Sequence, residues 1–220
     1  MTDTADPVAA FIEAACVPLD SGHGGSGTLD RPQSILAEHP EVASSNIHMA
    51  AILGDDERVR RFLERDPAAA TPKGGPRGWD ALTHLCFSRY LRLDQARSSG
   101  FVRTATALLD LGVNVGALFK EGDVYFDVAP NSMAIHVAAG RANHGTVKLL
   151  IERGSPIDAS DGKGRTLLAL AVKACVDSYW TERRTPESVE ALLRAGAAVS
   201  GVRFPSGYAE VDELLRSYQS

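Results

Sequence analysis

Aromatic residues make up only 6% of this 220-residue chain, and no apolar run is long enough to cross a bilayer, so the sequence does not read as a membrane protein. Cysteine is also sparse. Cys16, Cys86 and Cys175 are odd in number, far apart and without CxxC spacing, which excludes a disulfide framework or a zinc knuckle. They read as reduced thiols of a cytoplasmic protein. Positive charge is in deficit, with 23 lysines and arginines against 28 acids and a formal net charge of −5. Binding to a nucleic-acid backbone draws on many cations that release counterions, so DNA and RNA are not expected partners. Residues Met1 to Asp6 include Asp3 and Asp6 and no basic residue, which argues against a secretory or mitochondrial leader.

Catalytic patterns are missing too. There is no GxSxG elbow, no HxxxH pair, and no cysteine near a histidine with a third member in view. Cys86 follows His84 by two residues, but on a helix those side chains diverge by roughly 200°. Gly22 and Gly27 have the spacing of the two P-loop glycines, yet Thr28 stands where the lysine belongs and no strand pattern precedes them. No catalytic residue, metal or cofactor is expected from these patterns.

What the chain does have is self-similarity. Asn46-Ile47-His48-Met49-Ala50-Ala51 leads through Gly54 and Asp55 to Val59 and Phe62-Leu63-Glu64. Met133-Ala134-Ile135-His136-Val137-Ala138-Ala139 runs in the same order to Val147, Leu149-Leu150-Ile151-Glu152 and Arg153-Gly154. Gly164-Arg165-Thr166-Leu167-Leu168-Ala169-Leu170-Ala171 begins the pattern again. These segments resemble the ankyrin repeat, whose period is about 33 residues. The resemblance implies an all-α solenoid of stacked helix-turn-helix units joined by hairpin fingers.

Aligning the histidine slot at His48, Thr83, His136 and Ala169 gives spacings of 35, 53 and 33 residues. From that slot to the outer-helix leucine slot the distance is 15 residues in the first and third units, 26 in the second and 24 in the fourth. The second and fourth repeats therefore carry insertions. A further addition, 118–127, lengthens the finger before the third. The expected organisation is one domain over 1–220, with repeats at 45–72, 73–112, 131–154 and 161–196. Residues 6–44 read as a degenerate N-terminal capping repeat. Its first helix is capped by Asp6, has Pro7 in its first turn, and carries an apolar stripe of Val8, Phe11, Ile12 and Ala15. A C-terminal capping helix over 204–218 starts from Ser206 and carries Val211, Leu214 and Leu215. Phe87–Asp94 is expected to extend the inner helix of the second repeat until Ser98-Ser99-Gly100 stops it, and 178–184 to do likewise in the fourth.

The resemblance also implies roles. His48 and His136 occupy the slot whose histidine bonds backbone between neighbouring hairpins. Finger residues and exposed inner-helix positions form the concave face that meets protein partners. Carried onto this sequence, that face comprises Arg77, Trp79, His84, Phe87, Ser132, Val137, Arg141, Lys163, Arg165, Leu170 and Lys173. Tyr125 and Phe126 overhang it from the long finger. Arg77, Arg141, Lys163, Arg165 and Lys173 stand out in an acidic chain and favour a partner with an acidic surface. Trp79 supplies the large apolar area and single donor enriched at interface hot spots. The expected function is a non-catalytic protein-protein interaction module, monomeric rather than homo-oligomeric. The alternative is a small-molecule or catalytic pocket built from Asp80, His84, Arg89, Tyr90, Asp123 and Tyr125, which requires at least two of them to converge on one point.

Overall fold

The computed structural model describes residues 6–16, 28–119, 128–140, 143–177 and 184–219. Among them are twelve α-helices and no strand, as an all-α chain requires. The chain divides into two compact units, Met1–Asn114 and Val115–Ser220.

In the first unit the helices are α1 (Pro7–Ala15), α2 (Asp30–Glu38), α3 (Ile47–Leu53), α4 (Asp56–Arg65), α5 (Ala81–Phe87), α6 (Arg89–Leu93) and α7 (Ser98–Asp110). Helix α1 packs on α2, α3 on α4 and α5 on α7, while α3 also lies against both α1 and α5. Local chemistry explains where they start. Asp6 accepts from the Val8 N–H at 3.0 Å with Pro7 at the first helical position, and Asn46 accepts from His48 and Met49. The apolar faces so aligned bury Phe11, Ile12, Met49, Ile52, Leu85, Phe87, Phe101 and Leu108. Two glycines let α7 come close. Gly54 ends α3 at φ 63°, and a Cβ on Gly100 would lie 2.4 Å from the Gly54 carbonyl oxygen.

Two expectations for this unit are corrected. Helix α5 does not run on to Asp94. It breaks at Ser88, whose hydroxyl donates to the Ile52 carbonyl at 2.6 Å and accepts from the Tyr90 N–H, while its backbone pairs with Cys16. Those tertiary bonds outweigh the helix-compatible composition of the segment. Nor does Ser98-Ser99-Gly100 act as a stop, since it is the first turn of α7.

The second unit contains α8 (Ala134–Gly140), α9 (His144–Glu152), α10 (Leu167–Val176), α11 (Glu187–Arg194) and α12 (Ala209–Ser217). Helix α8 packs on α9 and on α10, and α11 packs on α9 and on α10. Its interior holds Ile135, Leu150, Leu167, Leu168, Val189, Leu192, Val211 and Leu215. The long finger is joined at its base by Phe119 and Asn131–Ser132, which exchange backbone hydrogen bonds of 2.8 and 2.9 Å. Ser206 is not the cap of α12. Tyr208 takes that position, and Asp212 reaches back to accept from the Ser206 N–H at 2.7 Å. The second expected helix extension, 178–183, and the body of the long finger, 120–127, lie outside the described residues.

Candidate functional site

In the first unit the residues before α5 form a tight finger. Gly74 and Trp79 exchange two backbone hydrogen bonds of 2.9 and 3.2 Å, and Gly75 and Gly78 turn the chain at φ 71° and 59°. Asp80 then starts α5 by accepting from the Thr83 N–H at 2.7 Å. The tip of the finger carries Arg77 and Trp79, both half-exposed, with the guanidinium carbon 5.4 Å from the centre of the indole. Beneath them runs a ladder of rings. Trp79 stacks on Phe87 at 4.5 Å and meets His84 edge-on at 5.5 Å, and His84 lies 5.0 Å from His48 of α3.

The two histidines are held neutral. His84 is fully buried, its Nδ1–H donates to the Asp80 carbonyl at 3.0 Å, and its Nε2 has no hydrogen-bond partner among the described residues. Burial, then the neighbouring His48 ring and Arg77, push its pKa down to about 4. Burial also lowers the pKa of His48, opposed by the charge of Asp80. The finger lies directly on both rings. A Cβ on Gly74 would come within 2.5 Å of His48 Nε2, and one on Gly75 within 3.3 Å of His84 Nε2.

The second unit has a corresponding finger, closed by pairing of Ser160 with Thr166. Asp161 is its organiser, accepting from the backbone N–H groups of Lys163 and Arg165 at 2.9 Å and from the Arg165 side chain at 2.8 and 2.7 Å. Burial alone would raise the pKa of its carboxyl, but the Arg165 side chain and the two backbone donors outweigh burial and hold it below the usual carboxylate range. Lys163 is exposed on this finger, and Lys173 of α10 is paired with Asp177.

Arg77 and Trp79 therefore stand together at one finger tip, and Lys163 and Arg165 share another. His84 and Phe87 are interior, at 0% and 2% exposure, because Trp79 folds over them; they support the finger instead of facing a partner. Ser132, Val137 and Leu170, placed on the concave face by the repeat register, are buried as well. Arg141, Tyr125 and Phe126 lie outside the described residues. The described members of the pocket alternative, Asp80, His84, Arg89 and Tyr90, are engaged or buried. The Asp80 carboxylate is engaged in capping α5, His84 and Tyr90 are buried, and Asp123 and Tyr125 are outside the described residues. Burial raises the pKa of the Tyr90 phenol to about 12, with opposing effects from Arg97 and Asp94. No group of three or more His, Cys, Asp or Glu among the described residues could hold a metal ion.

His136 bridges as its slot implies. Its Nδ1 accepts from the Met133 N–H at 3.0 Å and its Nε2 lies 3.3 Å from the Ala159 carbonyl at the start of the next finger. His48 differs, since its Nδ1 is buried without a partner among the described residues and its ring lies tilted against His84 at 5.0 Å instead. Sequence reasoning missed His144. It joins α9 to α11 through Ser188 Oγ at 2.7 Å and Thr185 Oγ1 at 3.0 Å, contacts across 44 and 41 residues that no local pattern signals.

Residues 132–162, which hold the helix pair α8–α9 and the His136 bridge to the start of the next finger, match the family model of the ankyrin repeat. The chain carries an ankyrin repeat. Comparison with curated proteins gives no match. The ankyrin repeat suggests a protein-interaction module. No helix among the described residues is long and apolar enough to cross a membrane.

Proposed function

We propose that this chain is a non-catalytic, cytoplasmic interaction module that engages an acidic protein surface through its fingers and the concave face implied by the repeat. The observation that carries this reading is the Arg77–Trp79 pair, a cation held over a half-exposed indole at the tip of a turn built on glycines. Such a pair offers a partner apolar area and positive charge at one point, and its rigid seat on Phe87 reduces the entropy lost on binding. On the second unit's finger the exposed Lys163 presents positive charge, while Arg165 and Lys173 are paired with Asp161 and Asp177. Cys16, Cys86 and Cys175, all buried as thiols, suit a reducing compartment.

The test compares proteins captured from a lysate by the wild type and by an Arg77→Ala, Trp79→Ala, Lys163→Ala variant, with circular dichroism confirming that the variant folds. A protein retained by the wild type, lost by the variant and weakened by added salt supports the reading. Equal capture by both chains refutes these fingers as the binding surface.

A further inference from the structure

The Gly74–Gly75 step lies over the half-buried His48 and the buried His84: a Cβ on Gly74 would collide with His48 Nε2 at 2.5 Å, and one on Gly75 would collide with Ile12 at 2.7 Å and press on His84 Nε2 at 3.3 Å. A proton added to His84 must go to Nε2, because Nδ1 already donates to the Asp80 carbonyl. The new N–H would then be buried without an acceptor, beside a second imidazole 5.0 Å away and under the positive Arg77. The surroundings offer little compensation. Asp80 is the acid that acts on His48, and its carboxylate already caps α5. On α4, Asp56 is bound to Arg103 of α7 and to Arg60, Glu57 to Arg61, and the preceding Asp55 to Arg58. Glu13 of α1 is exposed, Cys16 at the end of α1 directs its thiol to the His84 carbonyl, and α6 adds the cation Arg89. The cheapest relief is to let water reach the rings. The covering segment is a short glycine-rich turn closed by two backbone hydrogen bonds, the least expensive part of the neighbourhood to move.

We propose that the finger of residues 74–79 is an acid-released lid, closed over the neutral His48–His84 pair and lifted when either ring takes a proton. Lifting it removes Trp79 from its seat on Phe87 and separates Arg77 and Trp79 from the rest of the unit, whatever the finger binds. The closed state is favoured at neutral pH. In the closed form His84 titrates near 4 instead of the ordinary 6.5, so its contribution to closure is complete above 6.5 and is lost as pH falls toward 4. Over that window each unit of acidification favours the open form by roughly tenfold through His84, and the lowered pKa of His48 acts in the same direction.

The test uses the full chain with Trp180→Phe, so that Trp79 is the one indole, and follows its emission from pH 7.5 to 3.5 alongside far-ultraviolet circular dichroism. The expected result is a red shift centred between pH 4 and 6.5 while helicity persists, with the midpoint displaced to lower pH in both His84→Gln and His48→Gln. Should one variant fail to fold, the other decides. The lid is overturned if the red shift coincides with loss of helicity in the wild type, if no shift occurs, or if a folded variant keeps the wild-type midpoint.

Discussion

The two histidines in equivalent slots behave differently because of what their neighbours supply. His136 has a backbone donor for one nitrogen and the Ala159 carbonyl for the other, so it acts as a cross-hairpin strut. Replacing it with alanine orphans the Met133 N–H and the Ala159 carbonyl, a loss expected to cost about 1–3 kcal/mol, read as a lower urea midpoint at pH 7.5. Burial, opposed by the bond to Ala159 and the charge of Asp161, holds the pKa of His136 below its ordinary 6.5. A depressed histidine contributes stability above its ordinary value and loses it on acidification. The gap between wild type and His136→Ala should therefore narrow as pH falls below 6.5; a gap independent of pH would show that the strut is not titrating. The resemblance gave His48 the same slot as His136, but its tilted contact with His84 was not readable. That contact depends on two glycines of a finger 26 and 27 residues further on, whose bare backbone alone fits against the rings.

At the scale of elements, the start of α1 was readable, since a cap acts within three residues of itself, whereas Ser206 was read as the cap of α12 where Tyr208 stands. Asp6 with Pro7, Asn46, Asp80 and Thr166 all accept backbone hydrogen bonds where a helix begins. Breaks imposed from a distance were not readable. Phe87–Asp94 contains nothing that stops a helix, yet Ser88 adopts ψ 132° because the Ile52 carbonyl and the Cys16 backbone bind it there. Ser88→Ala removes both the bond to Ile52 and the cap on Tyr90. The expected cost is about 1–2 kcal/mol, seen as a reduced urea midpoint with an unchanged slope. No change would mean that the backbone pairing with Cys16 alone maintains the break. The finger tip shows the same division. Its register placed Arg77 and Trp79 together from sequence, but the inward rotation of His84 and Phe87 follows from the indole packing over them, which spacing does not encode.

For the whole molecule, the decisive property is that each compact unit contributes a set of buried apolar residues. Residues 1–114 bury Phe11, Met49, Phe101 and Leu108, and residues 115–220 bury Ile135, Leu150, Leu192 and Val211. A unit of about 110 residues is well above the roughly 40 below which disulfides or metals are usually needed for folding. Separate expression of 1–114 and 115–220 should accordingly give two helical fragments, each with its own cooperative urea transition and each with a smaller slope than the full chain, in proportion to the surface it exposes. The first fragment retains the complete finger, so its Trp79 emission should still respond to acid between pH 4 and 6.5. A fragment that shows helicity without a cooperative transition would demonstrate that its core is not self-sufficient. If the first fragment folds cooperatively but has lost the acid response, the finger and the His48–His84 pair are not sufficient for the lid.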